Sequence, residues 1–154
     1  MLFRSSEMIT YVNGTIYNAL PSVIKDAIIN TTVVSGHGST SGEANFTSTD
    51  KLYLLSSHEV FEDTDGNTSS GIDYSDTAYN NTRQLDYYQA QGITTANAIS
   101  GARKQYNGSN DYWWLRSAYS NNALYFFNVG TLGGWPHSNA DSMRGVSPAF
   151  RLRG

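Results

Sequence analysis

At 154 residues the chain has the size of one domain, and with 39% hydrophobic and 15% charged residues it is rich in Gly, Asn, Ser and Thr, the residues of turns and irregular loops. Aromatics at 13%, among them 11 Tyr and 3 Trp, exclude a disordered chain. A net charge of −3 leaves no basic footprint for nucleic acid, and the absence of cysteine excludes disulfides, thiolate zinc sites and thiol chemistry.

The longest apolar runs, Val33-Val34 and Leu52-Tyr53-Leu54-Leu55, fall far short of the roughly 20 residues a membrane helix needs, so direct membrane insertion is not expected. Met1-Leu2-Phe3-Arg4 does not open a secretory signal, because no apolar region follows it. A piece of a longer protein is compatible with this start.

Taken in chain order, Ser6 to Val12 predicts a short helix capped by Ser6 and stopped by Asn13-Gly14. Pro21 opens a second helix over Ser22 to Ile29, at a position where its missing N–H is harmless. Thr31-Thr32-Val33-Val34 is β-branched and predicts a strand, and Ser35 to Asp50 a surface loop. Lys51 to Ser56 predicts a buried strand, His58 to Phe61 one helical turn, and Glu62 to Asn81 a second polar loop. Arg83 to Gln91 predicts a helix stopped by Gly92, with Leu85 and Tyr88 on one face. Three strands are expected in the last third: Asp111–Ser117, Ala123–Val129 and Gly145–Leu152. Pro148 should place the last of these at an edge or bulge. The whole reads as one α+β domain, 1–154, with short helices on small antiparallel sheets.

Few residues point to chemistry. His37, His58 and His137 make no paired spacing with another ligand, whereas a zinc site takes about three or four. Asp63-Thr64-Asp65-Gly66-Asn67 begins like a calcium loop, but Thr68 and Tyr74 stand where an EF-hand places its Gly and its bidentate Glu. A solvated turn is the favoured reading, with an irregular calcium site near Asp63 and Asp65 left open; no other metal or cofactor is expected. Gly36-His37-Gly38 and Gly130 to Gly134 lack the strand–turn–helix setting of a phosphate loop. Nothing resembles a nucleophile elbow.

The most specific signal is Trp113-Trp114-Leu115-Arg116-Ser117 followed by Arg144-Gly145-Val146-Ser147-Pro148-Ala149-Phe150-Arg151-Leu152. The pair resembles a bacterial and phage family ending W-W-L-R-S … G-V-x-P-A-F-x-L, with support from Lys51–Ser56 and Arg83–Tyr88. That family looks like a branch of the C-type-lectin-like fold shared with formylglycine-generating enzymes and with variable proteins of diversity-generating retroelements. The resemblance is strongest from about residue 50 onward. It implies a C-type-lectin-like fold with a hypervariable region at about 117–143, diversified at template adenines. Such diversification cannot reach Lys, Glu, Gln, Met or Trp. Ser117 to Ser142 has none of the first four, and its Trp135 would then be template-fixed.

The window's Tyr, Ser, Asn and Gly are also the residues of antibody-like paratopes. The expected ligand-binding face comprises Tyr119, Ser120, Asn121, Asn122, Leu124, Tyr125, Phe127, Thr131, Leu132, Trp135, His137, Asn139 and Asp141. Strand alternation puts Leu124, Phe126 and Asn128 on one side and Tyr125, Phe127 and Val129 on the other. Tyr125 and Phe127 are favoured as exposed. Trp113, Trp114 and Phe150 are assigned to the scaffold, and Arg116 to hydrogen-bonding irregular loops together.

Three functions compete. First is a non-enzymatic module that binds a protein or glycan ligand, displayed on a phage virion or bacterial cell surface. Second is a structural or assembly module of a phage tail or cell-surface protein. A formylglycine-generating enzyme ranks last, because the resemblance ties that chemistry to a cysteine pair that this chain lacks. The oligomeric state is left open.

Overall fold

The computed structural model describes residues 7–39, 42–62, 82–97 and 99–154. The Ser6 cap and the acidic turn with Asp63 and Asp65 lie outside them. In the first thirty residues the apolar stripe folds as α1 (Glu7–Tyr11), a π-helical turn (Val12–Ile16), α2 (Tyr17–Ala19) and α3 (Ser22–Ala27). Asn13-Gly14 does not stop the first helix. The Asn13 amide donates to Leu52 O at 2.9 Å and accepts from Leu52 N at 2.9 Å. Its polar ends are thus engaged by a distant backbone instead of ending the helix. Val12, Ile28 and Leu52 form a small core beneath these helices, with Met8, Ile16 and Val146 against it.

The second helix ends two residues earlier than the sequence suggests. Ile28–Ile29 is strand β1, paired antiparallel with β11 (Arg151–Leu152). This pairing ties the N-terminal part of the domain to its C-terminus. β2 (Thr31–Ser35) pairs with β3 (Phe46–Asp50), so the expected loop over 35–50 is shorter than predicted. Phe46 is the anchor that pulls its end into the sheet, with only 6% of its surface exposed.

β4 (Tyr53–Leu54) is buried on both faces, as its unbroken apolar run predicts, and pairs with β10 (Pro148–Ala149). Pro148 sits in a two-stranded sheet, where its missing donor is tolerated. α4 (Ser57–Val60) starts on a capping box: Ser56 Oγ accepts from Glu59 N, and the Glu59 carboxylate accepts from Ser56 N at 2.7 Å. α5 (Asp86–Ala90) is followed by Gly92 at φ +67. That left-handed conformation is what makes glycine the stop.

β5 (Lys104–Tyr106) and β6 (Ser109–Asp111) form a hairpin absent from the sequence-based expectation. Asn107 and Gly108 have φ of +49 and +80, the two positive values that a tight two-residue turn requires. The largest sheet has the order β7 (Trp113–Ala118), β8 (Tyr125–Val129), β9 (His137–Asn139). The main core lies against it and gathers Phe61, Ile93, Trp113, Leu115, Phe127 and Val129. Among the described residues the architecture is α+β, with small antiparallel sheets and short helices.

Candidate functional site

A bulge in β7 sets both the scaffold and the face. Trp114 pairs with Asn128 and Ala118 with Phe126, so four steps along β7 match two along β8. Such an irregularity re-aims side chains, and here Arg116 is turned inward until its side chain is 3% exposed. Arg116 donates to Val34 O at 3.3 Å and to Leu54 O at 2.9 Å, and forms an ion pair with Glu59. One guanidinium therefore joins β2, β4 and α4 to β7, the cross-linking expected of it from sequence. Trp113 and Trp114 are buried at 2% and 6% and belong to the scaffold. Phe150 does not: it is 40% exposed, because β10 and β11 are short pairs at the domain's edge rather than one long core strand.

Beyond the bulge three rings meet. Tyr119 stacks on His137 with centroids 4.3 Å apart, and Tyr125 lies 5.0 Å from His137 and 6.0 Å from Tyr119. His137 is exposed, while Tyr119 and Tyr125 are half-buried. Phe127 is fully buried beneath them, 5.5 Å from Tyr119. The expectation that Phe127 is exposed is therefore overturned. β8 is the central strand, and from Phe127 to Val129 both of its faces are covered, so alternation ceases to sort core from surface. Leu124, grouped by alternation with Phe126 and Asn128, is 65% exposed, because it precedes the strand and lies in its turn.

The remaining expected residues divide between two ends of β8. At the Tyr125 end, Ser120, Asn121 and Asn122 belong to the β7–β8 turn, and Ala140 N donates to Leu124 O at 2.9 Å. That bond brings Asn139 and Asp141, both exposed, alongside Leu124. At the other end, Thr131 and Leu132 sit in the 130–134 turn. At roughly 3.3 Å per residue, β8 separates them from Leu124 by more than about 13 Å along the strand. Gly133 fixes that turn: at φ +90, a Cβ there would come within 2.0 Å of Ile99 O. Trp135 leans on Phe127 at 5.7 Å and donates to Thr95 O at 2.9 Å, a supporting role more than a displayed one. The structure thus gathers Tyr119–Leu124, Tyr125, His137, Asn139 and Asp141 into one patch, packs Phe127 and Trp135 as its support, and places Thr131 and Leu132 at the far end of β8.

The sequence reading missed one neighbour of the patch. Gly38, at φ +71, approaches Ala118 and Tyr119 so closely that a Cβ would meet the Ala118 Cβ at 3.0 Å. The Gly36-His37-Gly38 loop therefore flanks the rings. Its glycine spacing was a visible signal, read only against phosphate binding.

Among the described residues, no helix is long and apolar enough to cross a membrane, and no three His, Asp or Glu side chains group as metal ligands. No curated protein and no solved structure matches the chain. A family described as Domain of unknown function (DUF6273) matches residues 1–154.

Proposed function

Because the chain belongs to that family over residues 1–154, its role must be argued from its own site, and we propose that it is a non-enzymatic ligand-binding module. The observation that carries this reading is the partly exposed cluster of Tyr119, Tyr125 and His137, seated on buried Phe127, with Asn139 paired opposite Tyr125 and Asn121 and Asn122 in the adjoining turn. Aromatic anchors surrounded by adaptable amides are recognition chemistry. We read the fold as C-type-lectin-like and residues 117–143 as a region diversified by a retroelement. Two features support this reading: turns and a short edge strand carry the face, while buried Trp113, Trp114 and Arg116 hold the sheet beneath it. The ligand is a protein or glycan on a target surface, and the module is displayed on a phage virion or bacterial cell.

Randomising Tyr119, Leu124, Tyr125 and His137 together in a displayed library tests this. Selection against an unrelated folded protein should yield binders whose Tm stays within about 3 °C of the parent, about 1 kcal/mol for a domain of this size. A library that yields no binders, or whose members lose cooperative melting, would overturn the reading.

Exposed Leu124, Leu132 and Met143, at 65%, 69% and 93%, favour a second reading, an assembly module whose C-terminal end packs on a partner subunit. A concentration-independent oligomer that protects these three side chains would decide for it.

A further inference from the structure

A second concave feature lies away from the three rings. α1, the β5–β6 hairpin and the 140–147 segment enclose a cleft of about 870 Å³. That is within the roughly 300–1,000 Å³ of small-molecule sites. Tyr11, Tyr106, Tyr112, Trp114 and Val146 supply apolar and aromatic wall. Neither Tyr119, Tyr125 nor His137 lines it.

The charge in this cleft is uncompensated. Lys104 Nζ lies 5.0 Å from the centroid of the Trp113 ring and forms no ion pair or hydrogen bond among the described residues. Asp111 is its cross-strand Cα partner, but the two do not close a salt bridge, and Asp111 Oδ1 accepts from Tyr112 N at 2.7 Å. The Arg144 guanidinium lies 4.6 Å over Tyr112, with its Nη atoms donating to Met143 O and Ser138 Oγ. Its Nε is buried with no partner among the described residues. The side chain as a whole stays exposed, yet desolvation by the neighbouring rings and backbone lowers the Lys104 pKa, and no carboxylate closes an ion pair to offset it. An acidic protein, net charge −3, thus carries a cleft with two cations against one carboxylate.

We propose that this cleft binds a small organic anion, an aromatic body carrying one carboxylate. The ring lies against Tyr106, Tyr112 and Trp114, and the carboxylate meets Lys104. An aromatic carboxylate satisfies both halves of the site at once: apolar contact with the walls, and a counter-charge for an ammonium that the fold leaves unpaired.

The test uses 2-naphthoate, with 2-naphthylmethanol and 2-naphthylmethylammonium as neutral and cationic probes of the same ring, followed by ¹⁵N-resolved NMR of the full chain. The expected result is naphthoate binding with Kd of about 1 mM or tighter, with shifts at residues 104–114 and 142–147. The neutral and cationic probes should bind at least tenfold more weakly. Lys104 is an exposed strand residue, so Lys104→Met keeps the fold, checked by its amide spectrum, and should lose at least tenfold in naphthoate affinity. No binding up to 10 mM (about ten times the expected Kd), equal affinity for the three probes, shifts centred elsewhere, or an unchanged Kd in Lys104→Met would each overturn the proposal.

Discussion

Tyr119 stacks on His137 with ring planes 29° apart, linking the residue just past β7 to the first residue of β9 across the central strand. The contact lies at the surface, one layer above buried Phe127. Display and support are therefore separate layers, and substitutions should distinguish them. His137→Ala forfeits exposed ring contacts to Tyr119 and Tyr125 and should cost about 1–2 kcal/mol. Phe127→Ala empties the core beneath and should cost about 3–5 kcal/mol. Urea unfolding of both variants checks this; equal losses would mean that the two layers are one.

The Arg116–Glu59 pair is the second relationship on which the face depends. With side-chain exposures of 3% and 13%, neither charge has ready access to water. Arg116→Ala leaves the Glu59 carboxylate buried without its cation and frees the carbonyls of Val34 and Leu54. A loss of about 3–5 kcal/mol is expected, measured as a lower urea midpoint with an unchanged slope.

Asn13→Ala removes an amide that pairs with both the N–H and the carbonyl of Leu52. Leu52 is 1% exposed, so water cannot readily replace those bonds. The variant should lose about 1–3 kcal/mol. Asn13→Asp should cost more than Asn13→Gln if the donor to Leu52 O matters most, which a paired thermal-melt series would reveal.

Alkaline titration has a specific expectation. Burial, with smaller contributions from Tyr87 and Glu59, pushes the Tyr88 pKa up to about 12. A folded-state pKa above the unfolded value of about 10 favours the protonated, folded form. That stability is fully present below about pH 10 and is lost as pH rises toward 12. Phenolate absorbance should show a late tyrosine phase that coincides with unfolding. In Tyr88→Phe the late phase should vanish; its persistence would assign it to another ring.

Much of the scaffold was legible in sequence because its signals are local. The unbroken apolar run at Leu52–Leu55 gave a strand buried on both faces, and Gly92 gave a helix stop through its left-handed backbone. Arg116 is legible as a cross-linker because the donors of a guanidinium can tie irregular loops together. What escaped depends on distant partners. Asn13 looks like a helix stop until Leu52 is seen beside it, and Ile28–Ile29 look helical until Arg151–Leu152 pair with them. Phe127 escapes the alternation rule because period two sorts residues only when one face of a strand is wet, and Tyr119 and Trp135 cover the face of β8 on which it lies. The Asn107-Gly108 turn could have been found, since that dipeptide is the strongest short hairpin signal.

Diversification of residues 117–143 on a fixed scaffold, as proposed, is tested most directly by sequencing this gene across its source population. Substitutions should concentrate in codons 117–143, densest at Tyr119–Leu124, Tyr125, His137, Asn139 and Asp141. Trp113, Trp114, Arg116 and Phe127 should stay constant. A window as invariant as its flanks would contradict diversification and leave a fixed partner or an assembly role as the reading of this face.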